Sequence, residues 1–415
     1  MSAAAPQHCL LCGSGQTTPE LTIPGLPLFL HAVEPDVAAE VPRLPFTLGS
    51  CATCGHLQQL DAPPEEVVAP IYTRLFGSYQ STARTGIGGL RAQRFLDFLS
   101  AAVPGTGRAL EVGCFDGWFL SLLQQRGMEV VGCDPSPGAD IAARELGVEV
   151  RREFFRRGMY PDGAFDLFVA RQVFEHVQDA QGFLGLASSA LRAGGHLALE
   201  LPDADLWLGQ GVLGSLFHEH VSYFTERVLR TAVERAGFQV VMLRHEHTDL
   251  FLLARRQAST AVEKLFIDPE IVRHGRELAA IYRSRLAGQR KAVRRLAAGT
   301  RANGGHLYLY GAGVHSSSLV AACGLTAADI DGVVDDGPQS QGKVLPNLER
   351  TIAEPDLLDG TTPRDVVIVS GFSFQEEMLA RLGRRSIAAQ VVTLYPAVRR
   401  VEAGAVSASS SSATR

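Results

Sequence analysis

The densest group of reactive side chains in this sequence is Phe217-His218-Glu219-His220-Val221-Ser222-Tyr223-Phe224. Two imidazoles flank a carboxylate. The spacing is poor for a metal, because neighbouring residues point apart and the helical His-x-x-x-His repeat is missing. It suits proton transfer instead. A neutral imidazole with a pKa of about 6.5 takes a proton at physiological pH, and a carboxylate can fix its tautomer. His218, Glu219 and His220 are therefore candidate catalytic residues, and Tyr223 is a candidate to face the acceptor.

A second group is Cys9-Leu-Leu-Cys12-Gly and Cys51-Ala-Thr-Cys54-Gly. Each pair offers two thiolates from a tight turn, and four thiolates close a tetrahedron around zinc with no position left for catalysis. The spacing also allows three cysteines with His8 or His56. The long gap from Cys12 to Cys51 requires an inserted loop in a Pro-rich, core-poor segment. A structural zinc ribbon is expected, with Cys9, Cys12, Cys51 and Cys54 as ligands, and the metal explains how such a segment folds.

The third group lies in Arg108–Pro135. Ala109-Leu110-Glu111-Val112 reads as a buried parallel strand, Gly113 to Gly117 as a loop, Trp118 onward as a helix, and Glu129–Gly132 as a second strand stopping at Asp134. Strand, glycine loop, helix, strand and acid is the plan of a nucleoside-cofactor site, with the acid placed for ribose hydroxyls. A dinucleotide fold would want Gly-x-Gly-x-x-Gly. Here the loop is Glu-x-Gly-x-x-x-Gly, which puts negative charge near the cofactor and suits S-adenosylmethionine (SAM), a sulfonium cation without phosphate. Glu111, Gly113, Phe115, Gly117, Asp134 and Gln172 are the expected SAM-binding residues. Gln172, Glu175 and His176 follow the strand Phe165–Ala170, at the end where open α/β sheets bind ligands, and His176 is a candidate for the acceptor.

A fourth group, Gly311-Ala-Gly313-Val-His315-Ser316, follows the strand His306–Tyr310. The turn before a helix could hold a nucleotide phosphate. Ser316 replaces a third glycine, which disfavours NAD, so Gly311 and His315 are taken as acceptor-binding. Tyr79, in a polar-aromatic patch with Tyr72, Ser78 and Ser81, joins them.

The elements that must position these groups give an α/β fold in several parts. Residues 1–62 form the zinc-binding domain. Residues 63–257 form a SAM-binding, Rossmann-like domain of the class I methyltransferase type. Residues 258–303 form a helical connector with a solvated arginine face, 304–400 a second Rossmann-like α/β domain, and 401–415 a disordered tail. Within the cofactor domain, Leu191–Gly195 reads as a helix end with a glycine stop. Phe238–Leu243 and Leu250–Ala254 read as an antiparallel hairpin at the sheet edge.

With 415 residues, 46% of them hydrophobic and 20% charged, the chain reads as a globular protein of two or three domains. A net charge of −5 without a long basic run argues against nucleic acid as a partner. No apolar run would span a membrane, the N-terminus lacks the pattern of a secretory signal, and a cytoplasmic location is expected.

Taken together, these residues resemble the bacterial nucleotide-sugar C-methyltransferases of deoxysugar biosynthesis. The resemblance covers nearly the whole chain. It rests on the CxxCG pair, PLFLHAV (27–33), CGHLQQL (54–60), EVGCFDG (111–117), FHEHVSYF (217–224), LYGAG (309–313) and VVDDGPQSQGKVLPN (333–347). It implies a zinc ribbon, a SAM domain, and a C-terminal Rossmann-like domain that helps enclose a dTDP-linked 4-keto-deoxysugar. It also implies that His220 is the base, with Glu219 or His218 orienting it or stabilising the enolate. Removing the proton next to the ketone makes that carbon the nucleophile for the SAM methyl group. Two positions depart from the family: Phe217 stands for its tyrosine, and Thr248-Asp249-Leu250 for its Gly-Gly-Ser. An O- or N-methyltransferase acting on another small natural product is the alternative. Monomer and homo-oligomer are both left open.

Overall fold

A computed structural model describes residues 8–75, 86–258 and 268–401. Tyr79 and the tail from residue 402 lie outside these described residues. The chain divides into two compact units, each built from separate segments. The first comprises Met1–Pro19, Gly49–Leu206 and Glu219–Glu277, and the second Glu20–Leu48, Trp207–His218 and Leu278–Arg415. Among the described residues, four elements run across a boundary along the chain: β1 (Thr17–Pro27), β2 (Arg43–Cys51), the short helix Ala204–Gly209 and the 34-residue helix Pro269–Ala302.

The expectation of a core-poor loop between the cysteine pairs is corrected here. That stretch forms β1 and β2, and Ile23, Leu26, Phe46 and Leu48 are buried with at most 2% exposure. Its apolar residues are too scattered among prolines to show a clean period of two, which hid the strands.

In the first unit, β3 (Leu57–Gln59) pairs antiparallel with β9 (Ser222–Tyr223). The main sheet contains β4 (Arg108–Val112), β5 (Glu129–Cys133), β6 (Glu149–Arg151), β7 (Phe165–Arg171), β8 (Leu191–Pro202), β10 (Phe238–Glu246) and β11 (Asp249–Arg256). Its order is β10-β11-β8-β7-β4-β5-β6. The strands from β8 to β6 are parallel, while β11 runs antiparallel to both neighbours. Leu110, Leu167, Phe168, Leu197 and Leu199 are fully buried, as both faces of a central parallel strand require. The expected hairpin is present, with β10 as the edge and β11 inside the sheet.

The expected glycine stop at residues 191–195 is not there. The helix Ala180–Ala190 ends one residue earlier, and residues 191–195 form the irregular start of β8. Leu191, fully buried, pairs with Phe165 on β7, and this pairing outweighs one more helical turn.

In the second unit, β12 (Leu307–Tyr310), β13 (Gly332–Val334), β15 (Leu348–Ala353), β16 (Val366–Val369) and β17 (Gln390–Thr393) are parallel, with β14 (Val344–Leu345) and β18 (Arg399–Arg400) as antiparallel edges. Leu309, Val333, Val334, Val367 and Ile368 form its buried centre. The arginine face of the long helix is largely solvated. Two of its members do more: Arg290 donates to the carbonyl of Ala322, and Arg294 to that of Cys323 at 2.6 Å. Both cap the end of the helix Val314–Cys323, where cations are favoured.

Candidate active site

The loop after β4 has a conformation that its glycines make possible. Gly113 and Gly117 have φ of 73° and 71°, in the left-handed region. A Cβ on Gly113 would come within 2.3 Å of Val173 Cγ2, and one on Gly117 within 2.7 Å of Ala142 Cβ. Phe115 also adopts a positive φ, 48°. Asp134 clips this loop. Its Oδ2 accepts from the backbone N–H of Phe115, and its Oδ1 from that of Ser136, both at 2.8 Å. A carboxylate has about four acceptor positions, so capacity remains for ribose hydroxyls. Burial holds the Asp134 carboxyl above the usual carboxylate range despite these bonds.

Glu111 projects from β4 and is only 2% exposed. Its Oε2 has no hydrogen-bond partner. Burial pushes its carboxyl up to about 8, against the opposing pull of Arg171. An orphaned, buried acid of this kind fits a cationic ligand group, such as the ammonium or sulfonium of SAM.

Around it runs a polar network that sequence reasoning missed. Arg171 Nε donates to Glu200 Oε2 at 2.5 Å, and Arg91 Nε lies 2.8 Å from Glu200 Oε1. Arg91 also donates two bonds to Asp249, at 3.0 and 3.1 Å, and Gln172 Nε2 donates to Asp249 Oδ1 at 3.1 Å. Glu200 and Asp249 lie on neighbouring strands of the register, near Phe251 and Pro202 respectively. Their pairing depends on β11 entering the sheet, which no local motif announces. Asp249 is one of the two positions that depart from the family pattern, and it is fully engaged.

The second cluster gathers side chains from distant parts of the same unit. Glu175 and His176 come from the turn Phe174–His176 after β7, and His220 from the segment before β9. Backbone bonds hold the segment: Val221 N–H donates to Glu175 O at 3.0 Å, and Gln59 N–H to Val221 O at 2.9 Å. Phe174 and Phe224 stack beneath, with centroids 4.7 Å apart. Glu175 Oε1 lies 3.7 Å from His176 Nε2 and 3.9 Å from His220 Nε2. Tyr72 Oη is hydrogen-bonded to His176 Nδ1 at 2.8 Å, and the Tyr223 ring sits 6.4 Å from that of His220. Burial holds the His220 imidazole well below its usual pKa, with His176 adding to the effect. Burial also pushes the Glu219 carboxyl up to about 7, His176 opposing. At neutral pH His220 is thus an uncharged imidazole able to accept a proton.

His218 does not join this cluster. It belongs to the second unit, where its Nε2 meets Leu26 O at 3.2 Å and its fully buried ring packs against Phe46. Adjacent residues point apart, and Glu175 Oε1, from a different strand end, lies 3.9 Å from His220 Nε2.

The four cysteine sulfurs lie within 4.8 Å of one another, with Cys9 to Cys54 at 3.6 Å and Cys12 to Cys51 at 3.7 Å. A tetrahedron with Zn–S of about 2.3 Å has edges of roughly 3.8 Å, so donor type and spacing fit zinc. Gly13 and Gly55 close the two turns at φ of 72° and 74°. His56 is occupied elsewhere: its Nε2 meets Ser222 Oγ at 3.1 Å, and its ring packs against Phe224.

In the second unit, Gly311 has φ of 104°, and a Cβ there would come within 2.8 Å of Ser370 Oγ. Asp335 repeats the clip of Asp134, accepting from Ala312 N–H and Gly337 N–H, each at 2.7 Å. His315 stacks on Trp207 with centroids 5.9 Å apart.

Residues 83–243 match the family model for a methyltransferase domain, and residues 252–396 that for the C-methyltransferase C-terminal domain. The chain is a SAM-dependent methyltransferase. It is 28% identical over 287 residues to the C-methyltransferase NovU of Streptomyces niveus, covering 65% of this chain and 67% of that protein. The methyltransferase is also 32% identical over 149 residues to a ubiquinone biosynthesis O-methyltransferase of Methylobacterium sp. (strain 4-46). That match covers 32% of this chain and 59% of the relative. Among solved structures, the 1,6-didemethyltoxoflavin-N1-methyltransferase of Burkholderia thailandensis, with S-adenosylhomocysteine bound, gives a TM-score of 0.38 at 18% identity. It covers 49% of this chain and 96% of that one.

Proposed function

We propose that this methyltransferase transfers the SAM methyl group to a carbon adjacent to a ketone, on a nucleotide-linked (dTDP) keto-deoxysugar, with His220 as the general base. The observation that carries the reading is the half-buried His220 beside Glu175 and His176, its pKa held down so that it is uncharged, in the unit that also holds Glu111 and the Asp134 loop. The C-methyltransferase matches support carbon as the accepting atom. SAM, held by the Glu111–Gly117 loop, Asp134 and Gln172, supplies an electrophilic methyl group. His220 removes the proton from the acceptor carbon, Glu219 and Tyr223 line its surroundings, and the excluded water keeps the enolate from reprotonation. In the second unit, Gly311 and His315 are the proposed acceptor-binding residues. Zinc at the four cysteines is structural, and the enzyme works in the cytoplasm.

The test uses the acceptor carbon. His220→Ala is expected to lower turnover by roughly 10²–10⁴, the usual share of acid/base help, while SAM affinity by calorimetry stays unchanged. Wild-type enzyme without SAM should exchange that carbon-bound hydrogen with deuterated solvent. No exchange in an enzyme that still methylates would sink the enolate route and favour the O-methyl reading, which the O-methyltransferase relatives of residues in the central domain also support.

A further inference from the structure

One face of the main sheet, near the carboxyl ends of its parallel strands, carries a row of charged side chains. Glu111 on β4 pairs with Val169 on β7, and Arg171, two residues on, pairs with Glu200 on β8. Glu200 in turn pairs with Phe251 on β11, and Asp249 lies two residues before it. Residues two apart on a strand share a face, so Glu111, Arg171, Glu200 and Asp249 all point to one side. The helix Gly86–Ser100 covers that side. Its Phe95 packs edge-on to Phe251 with centroids 4.9 Å apart, and Arg91, one helical turn earlier, is thereby brought to Asp249.

Arg91 closes the row. Its Nε donates to Asp249 Oδ2 at 3.0 Å, its Nη2 donates to Oδ1 at 3.1 Å, and Nε lies 2.8 Å from Glu200 Oε1. The two acids hold the guanidinium by one edge. Among the described residues the outer nitrogen, Nη1, has no hydrogen-bond partner, and the side chain remains 32% exposed. Gln172 shares these acids: its Nε2 donates to Asp249 Oδ1 at 3.1 Å, and its backbone N–H to Glu200 O at 2.7 Å. They hold Gln172 at a φ of 54°, a left-handed conformation that costs a non-glycine residue energy.

Two further groups in this unit lack partners. Glu111 Oε2 is buried without a donor, and Trp118 Nε1 is buried without an acceptor. Trp118 packs against the apolar cluster that contains Phe95 and Phe251. An orphaned acid, an orphaned donor and an unused guanidinium edge suit a ligand that brings charges of both signs. The methionine tail of SAM is one, with a cationic sulfonium and ammonium and an anionic carboxylate.

We infer that Arg91 binds the carboxylate of SAM through its Nη1 edge, and that Asp249 is the positioning residue that presents it. This rests on the placement of SAM at the Glu111–Gly117 loop and not on the identity of the acceptor. A carboxylate gripping one edge of the planar guanidinium fixes its orientation, so less freedom is lost when a second carboxylate meets the other edge. Asp249 is also one of the positions at which this chain departs from the family pattern, and the glycine of that pattern has no carboxylate to offer.

The experiment is calorimetry on the full-length zinc-loaded protein, with SAM and with decarboxylated SAM, which keeps the sulfonium and the ammonium. Wild type is expected to bind SAM roughly 10–100-fold more tightly, the range for a hydrogen bond to a charged group. Arg91→Met should abolish this preference by weakening SAM alone. Arg91→Lys, which keeps the charge without the fork and guards against a folding defect, should retain part of it. Asp249→Asn should reduce the preference several-fold with Arg91 still present. Equal affinity of wild type for the two ligands overturns the inference, as does an undiminished preference in folded Arg91→Met or a loss shared equally by both ligands. Glu111→Gln tests the loop placement separately: it should weaken both ligands alike, and unchanged binding of both would remove the placement on which the role of Arg91 stands.

Discussion

At the scale of single residues, burial has displaced several titrations, and the sign of each sets how stability responds to pH. His31, His56 and His315 are each lowered to about 4 by burial, and His220 is lowered in the same sense. Their unfolded forms bind protons below about 6.5, so their contribution is intact above that pH and is lost as pH falls towards 4. Glu111 and Glu219 act oppositely. Raised to about 8 and about 7, they favour the fold below their unfolded values, and that contribution is lost as pH rises through 7 and 8. Melting temperature against pH should therefore peak near neutrality and fall on both sides. Glu111→Gln should flatten the alkaline fall while weakening SAM binding. An unchanged alkaline limb in that variant would count against the buried acid. The sequence showed which residues could move protons, because imidazoles and acids are few. It did not show that Glu175, placed at the end of β7, would lie within 3.9 Å of His220: the neighbour Glu219 is visible in the sequence, whereas this approach comes through the fold.

At the scale of elements, the loop after β4 is the most constrained. Gly113→Ala would place a methyl 2.3 Å from Val173 at a φ of 73°. A cost of about 1–3 kcal/mol is expected, seen as a lower denaturation midpoint together with lost SAM affinity. Retained affinity in a stable Gly113→Ala would show that the loop can reshape. The cysteine turns give a second prediction. Chelation of zinc, or Cys51→Ser, should lower the melting temperature and raise protease sensitivity in the N-terminal turns more than it alters chemistry per folded molecule; metal analysis and thermal scans would check this. The strands of both sheets were legible where four or more apolar residues run together, as in β7 and β16. β1, β2 and β15 were not, because half of each strand faces solvent and polar or proline positions interrupt the pattern. The glycine pair at 194–195 misled for a related reason: glycine marks an irregular strand start as readily as a helix end.

At the scale of the molecule, the two units are each discontinuous in sequence. The linear division into successive domains did not anticipate this, since composition shifts locate linkers but carry no information about returning segments. Residues 278–401 expressed alone lack 20–48 and 207–218, and are expected to give poor chemical-shift dispersion and to aggregate. A well-dispersed spectrum from that fragment would show that the missing segments are dispensable. Rapid protease cleavage within 206–219 should likewise abolish folding of both halves rather than release one intact.

The break between His218 and Glu219 has a bearing on how such enzymes can be recombined. A hybrid spliced at residue 252, where the second family match begins, would carry over one piece of a three-piece unit and leave residues 20–48 and 207–218 behind with the host. On the proposed acceptor-binding role of the second unit, exchanging acceptor preference between relatives would mean moving three segments at once. A lineage that shuffled whole C-terminal exons or gene ends would be filtered for those rare partners whose inner segments already matched.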